Sequence, residues 1–113
     1  MRVGYIIVAH ALPDQVVRLV GRLRSDNASF FIHVDRRSPQ PVMAVVEREL
    51  GGAPDVQLLP RHRCGWGTFG QVLASLEGIR AVLQAPEPLD YAVLLTGQDY
   101  PLRPPHAIEA TLD

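Results

Sequence analysis

The chain has 113 residues, 47% of them hydrophobic and 20% charged, the proportions of one globular domain able to bury its own core. Its net charge of −1 gives no general pull toward nucleic acid or an anionic membrane, so any basic site has to be local. The single cysteine, Cys64, excludes an intrachain disulfide and suits a reducing compartment, and no apolar run reaches the length of a membrane span.

The first predicted element is a strand over residues 3–9. VGYIIVA is almost continuously apolar, as a strand covered on both faces reads, and the chain runs straight into it rather than into a signal peptide. His10 follows at its end. Pro13 marks a break and Asp14 is the expected cap of a helix over 14–24. Val16, Val17, Leu19, Val20 and Leu23 share one face of that helix, with Arg18, Arg22 and Arg24 turned away. A second strand covers 30–34 and closes on His33-Val34-Asp35. Ser38-Pro39 then opens a helix over 40–50 by the cap-then-proline rule. Val42, Val45, Val46 and Leu50 form its stripe, and Gly51-Gly52 stops it.

Residues 56–59 read as a third strand. The loop over 61–67, Arg-His-Arg-Cys-Gly-Trp-Gly, is dense in functional side chains. A long helix over 68–84 follows, with Val72, Leu76, Ile79 and Leu83 expected on its inner face, and Pro86 and Pro88 end it. The fourth strand, 91–96, breaks into the turn Thr96-Gly97-Gln98-Asp99, and Pro105 begins a last helix over 105–112. There is no internal repeat and no domain boundary. Strands alternating with helices imply a mostly parallel sheet with helices on both faces, a three-layer α/β architecture.

In such a sheet ligands bind beyond the carboxyl ends of the strands, so the residues that end the strands are the candidates. Asp35 is placed to accept hydrogen bonds from a ribose hydroxyl or a base N–H, or else simply starts a turn. Asp99 either contacts a ligand or satisfies the backbone of its own turn. His10 reads as pocket lining rather than as a general base. Arg61 and Arg63 can offset the charge of a diphosphate or be solvated. Trp66 either stacks on a ring or packs in the core. His10, His33, Asp35 and His62 lack the close pairing of a zinc site. No Gly-x-Gly-x-x-Gly, Walker A or Gly-x-Ser-x-Gly motif occurs, which argues against a dinucleotide-binding domain, a P-loop enzyme and a serine hydrolase.

One segment carries a family resemblance. In LLTGQDYPLRP, the residues Thr96, Gly97, Asp99, Tyr100, Pro101, Leu102 and Arg103 fit the sheet-end motif of the core-2/I-branching glycosyltransferases. These include β-1,6-N-acetylglucosaminyltransferases and peptide O-xylosyltransferases. VGYIIVAH, FFIHVD and Trp66-Gly67 resemble further family segments, in the same order and at similar spacing. The resemblance implies a Rossmann-like, GT-A type fold of which residues 1–113 are the N-terminal, nucleotide-binding part. It also implies an inverting transferase that moves a sugar such as GlcNAc or xylose from a UDP-sugar to a hydroxyl of a glycan, protein or small molecule. The donor site it implies is Ala9, His10, Asp35, Arg63, Trp66, Gly97 and Asp99. Asp99 has no second acid beside it, unlike the Asp-x-Asp metal motif, so no metal and no other cofactor is expected. No nucleic-acid partner is expected either.

Glu77 and Glu109 fall on helices and match no catalytic base, so the catalytic residue is unassigned, and the chain alone is expected not to transfer sugar. The alternative is a non-catalytic nucleotide- or carbohydrate-binding module. The expected location is the cytoplasm, with the periphery of a membrane as the variant.

Overall fold

The computed structural model describes residues 1–63, 70–96 and 105–112. Four strands and four helices alternate: β1 Val3–Ala9, α1 Pro13–Leu23, β2 Ala28–Val34, α2 Gln40–Leu50, β3 Val56–Leu58, α3 Gly70–Leu83, β4 Tyr91–Thr96 and α4 Pro105–Leu112. The strands form one sheet in the order β3-β2-β1-β4, and every pairing is parallel. The expected three-layer α/β architecture is present, with β2 starting two residues earlier than its apolar run suggests.

The order of the strands explains which face each helix covers. The chain moves outward from β1 to β2 to β3, then returns through α3 to place β4 on the far side of β1. With crossovers of one hand, reversing the direction of travel moves the connecting helix to the opposite face. Accordingly Tyr5, Ile7, Phe30 and Ile32 pack with Val16, Leu19 and Val20 of α1 and with Val46 of α2, while Ile6 and Phe31 point the other way, toward Ala81 of α3. Central strands buried on both faces need the unbroken apolar runs that β1 and β2 have. β4 has one covered face: Val93 and Leu95 join the α1 side beside Ile108 and Leu112 of α4, whereas Ala92, Leu94 and Thr96 are exposed.

The expectation for α3 is corrected. Val72, Leu76, Ile79 and Leu83 face solvent, at 46, 51, 46 and 81% exposure, and the sheet side consists of Gly70, Ala74, Gly78 and Ala81. The reason is close approach. A Cβ at Gly78 would overlap Ile6 Cγ2, and one at Gly4 of β1 would come within 3.2 Å of Val82 Cγ2 on α3. Only small side chains let the helix backbone lie this near the strand. Both stripes repeat with helical period, and bulk alone pointed to the wrong one.

Two helix starts also differ from the expected caps. α1 begins at Pro13, so Asp14 lies inside its first turn, and the N-cap is Leu12 with no side-chain hydrogen bond. α2 is preceded by Pro39, again without a side-chain cap. The Ser38 hydroxyl instead donates to the His10 carbonyl.

Candidate functional site

The C-terminal edge of the sheet is built around Asp35. Its backbone N–H donates to O of Ala9, the last residue of β1, at 2.8 Å, which extends the β1–β2 pairing one residue past the end of β2. Its side chain is buried, and Oδ1 accepts the Arg37 backbone N–H at 2.9 Å. That bond closes an Asx turn. The Arg37 guanidinium folds back onto the same carboxylate, with Nη2 at 3.0 Å from Oδ2 and Nε at 3.4 Å from Oδ1. Ser38 N–H donates to Asp35 O at 2.9 Å, and its hydroxyl donates to His10 O at 2.8 Å. The turn after β2 is thereby fastened to the turn after β1, and Ala9, His10 and Asp35 are brought together as the sequence suggested.

A second loop locks this arrangement from the β3 side. Arg61 donates through Nε to Val34 O at 3.0 Å and through Nη2 to Asp35 O at 2.9 Å. Its guanidinium is therefore committed to holding the end of β2, a positioning role rather than contact with a diphosphate. Arg36 N–H donates to His62 O at 3.0 Å, and His62 N–H donates to Nε2 of the fully buried His33 at 2.8 Å. Because Nε2 accepts, the ring hydrogen of His33 resides on Nδ1, which has no partner among the described residues. The His62 ring lies parallel to His33 at 5.8 Å between centroids, and its Nε2 is 3.4 Å from Glu77 Oε1 on α3.

Burial pushes the His33 pKa down. The neighbouring His62 and Arg61 act in the same direction, and Asp35 opposes them. The buried imidazole is thus kept neutral as the acceptor that holds the loop. Among the described residues no group of three His, Cys, Asp or Glu side chains is placed to share a metal ion. Glu77 and Glu109 lie on helices, as expected, and Glu109 accepts the Ser25 hydroxyl at 2.6 Å.

The electrostatic character of this edge is local, as the low net charge requires. Arg36, Arg37, Arg61 and Arg63 lie on two adjacent loops around one buried carboxylate, and Arg63 is exposed. Such an edge suits an anionic ligand. Trp66, Gly97 and Asp99, the other candidates, lie outside the described residues. Sequence reasoning missed Arg37 and Ser38. The Asp-x-Arg-Ser order was a signal for an Asx turn, but nothing local marks Ser38 as a partner of a carbonyl 28 residues away. A cavity of about 760 Å³ lies at the opposite edge, beside Ala28, Ala53 and the ion pair Arg24–Asp55. It is remote from the strand ends where an open α/β sheet binds its ligands, and its two best-placed charges neutralise each other.

The fold agrees with what the chain is similar to. The family model for the core-2/I-branching enzymes matches residues 3–113. The chain is also 31% identical over 106 residues to xylosyltransferase 2 of Homo sapiens and to xylosyltransferase 2 of Pan troglodytes. The match covers 91% of this chain and 12% of either relative. A match across nearly all of its length, on the expected parallel α/β sheet, assigns the chain to the core-2/I-branching enzyme family.

Proposed function

We propose that this chain forms the donor-nucleotide wall of a glycosyltransferase that moves a sugar from a UDP-sugar to an acceptor hydroxyl. The observation that carries the reading is the fastening of the Asp35 turn to Ala9 and His10 at the C-terminal edge of adjacent parallel strands. A carboxylate fixed there by Arg37 meets ribose or base donors without first having to be ordered, which lowers the entropy cost of binding. Arg36 and Arg63, exposed on the two loops, supply positive charge where a nucleoside diphosphate gathers negative charge as it leaves. The donor-site set under this reading is Ala9, His10, Asp35, Arg63, Trp66, Gly97 and Asp99.

Transfer also needs a base for the acceptor proton, held in fixed geometry opposite the donor. No residue of this chain is assigned that role, and acceptor-dependent turnover is not expected of residues 1–113 by themselves. The test of the donor site is calorimetry with UDP on the wild type, Asp35→Ala and Asp35→Asn. Losing the carboxylate is expected to weaken UDP about tenfold or more, which corresponds to about 1.4 kcal/mol. Equal affinity in all three proteins would remove Asp35 from the pocket.

A further inference from the structure

The loop after β3 is fastened in part through a titratable side chain. Two hydrogen bonds bracket the His62 residue: its N–H donates to Nε2 of His33 at 2.8 Å, and its carbonyl accepts the Arg36 N–H at 3.0 Å. One bond ends on a ring of β2 and the other on the turn that carries Asp35. A backbone carbonyl would accept the His62 N–H at any pH. An imidazole nitrogen accepts it only while the ring is neutral.

Protonation turns Nε2 into a donor and sets it against the His62 N–H. Nothing described around the ring compensates. His33 is fully buried, and its Nδ1 has no partner among the described residues, so a charged ring would leave one buried donor unpaired and a second opposed. From the loop, Arg61 and His62 disfavour a positive charge on His33. From β2 itself Asp35 favours one, but that carboxylate is already paired with Arg37. α3 contributes Glu77, whose Oε1 is 3.4 Å from Nε2 of His62. β1 sets the apolar Val8 beside His33, and its Tyr5 packs with Phe30 in the cluster on the other face of the sheet. A proton on His33 is therefore accommodated by giving up the bond to His62. Arg61 stays tied to Val34 O and Asp35 O, so the release is confined to residues 62 and 63 and to the Arg36 N–H that they hold.

We infer that His33 is a proton-operated latch for this loop: neutral, it holds the His62 backbone and the neighbouring Arg63 against the Asp35 turn, and protonated it lets them go. The latch goes beyond the donor-site reading, and only the UDP measurement described last depends on that reading. A released ring titrates near 6.5 and the latched ring lower. Opening thus becomes easier as the pH falls from about 6.5 toward the latched value, by up to about tenfold per pH unit.

The test is amide hydrogen exchange, read as protection factors between pH 7.5 and pH 5.5, on the wild type, His33→Gln and His62→Gln. In the wild type the amides of His62 and Arg36 should lose protection together, severalfold over this range. Low urea should leave their protection unchanged, as for a local opening, while it lowers that of the buried Phe30 amide, which donates to Asp55 O. Gln at position 33 keeps an acceptor that does not titrate, so the pH dependence should vanish there. It should persist in His62→Gln, which keeps the backbone donor and His33. Urea-sensitive exchange at His62 and Arg36, an equal pH dependence in His33→Gln, or its loss in His62→Gln would each overturn the latch. Finally, millimolar UDP at pH 7.5 should raise the protection of both amides severalfold, because a ligand held by Arg63 and the Asp35 turn binds the closed form. No change with UDP, beside an intact pH response, would leave the latch standing and contradict the donor-site reading.

Discussion

At the residue scale, the clearest contrast is between His33 and Asp35, two neighbours of one strand end. Asp35 was legible as a strand-end acid. What it touches was not, because Arg37 folds back on it and Ser38 reaches His10 across the sheet, and such partners are set by the pairing of β1 with β2. His33, whose spacing fits no zinc site, has a structural task, accepting the His62 N–H from a fully buried position. That task has a pH signature. Burial holds the folded pKa below the ordinary 6.5, so between those two values the unfolded chain binds a proton that the folded chain does not. Stability contributed by the neutral ring is complete above about pH 6.5 and is lost as the pH falls toward the folded pKa. The urea midpoint should therefore decline from pH 7.5 to pH 5, and His33→Gln, which keeps an acceptor but cannot ionise, should decline less steeply. An identical slope in the two proteins would contradict the assignment. Removing the acceptor with His33→Leu should cost roughly 1–3 kcal/mol, the penalty of leaving the partly buried His62 N–H without its acceptor.

At the element scale, strand and helix positions followed from periodicity, because β1 and β2 are covered on both faces and carry unbroken apolar runs, while α1 shows one clean stripe. α3 defeated the same method. Its bulky stripe, Val72 to Leu83, and its small stripe, Gly70 to Ala81, lie on opposite faces, and hydrophobicity favours the bulky one. The choice is made instead by contact distance, which a sequence does not display. Two glycines test this. In an open helical position Gly→Ala stabilises by about 0.5–1 kcal/mol, and Gly21 of α1 has nothing within 4 Å of an added Cβ, so Gly21→Ala should gain that amount in urea denaturation. Gly78→Ala should instead lose roughly 1–3 kcal/mol, because the added methyl overlaps Ile6 and must displace it. In the same experiment Leu76→Glu should stay within about 0.5 kcal/mol of wild type, as a surface substitution does. A loss of several kcal/mol at Leu76, with a gain at Gly78, would reverse the faces of α3.

At the scale of the whole molecule, the strand order follows from chain order plus one reversal, which sets β4 on the far side of β1. Alternating strands and helices predicted the parallel sheet but not which strands become edges. β4 and the outer face of α3 consequently leave Leu94, Leu76 and Leu83 exposed, an apolar surface of the kind that promotes association. Among the described residues no helix is long and apolar enough to cross a membrane. The C-terminal edge, not the cavity beside Arg24 and Asp55 at the other end of the sheet, is the proposed site for a uridine nucleotide. The direct measurement is a titration of the ¹⁵N-labelled chain with UDP, followed by amide chemical shifts. Saturable shifts are expected, centred on Ala9 to Leu12 and on Asp35 to Ser38 and extending to Arg61 and Arg63, with Arg24, Ala53 and Asp55 unmoved. Shifts centred on Arg24 and Asp55, or none at either edge at millimolar UDP, would contradict it.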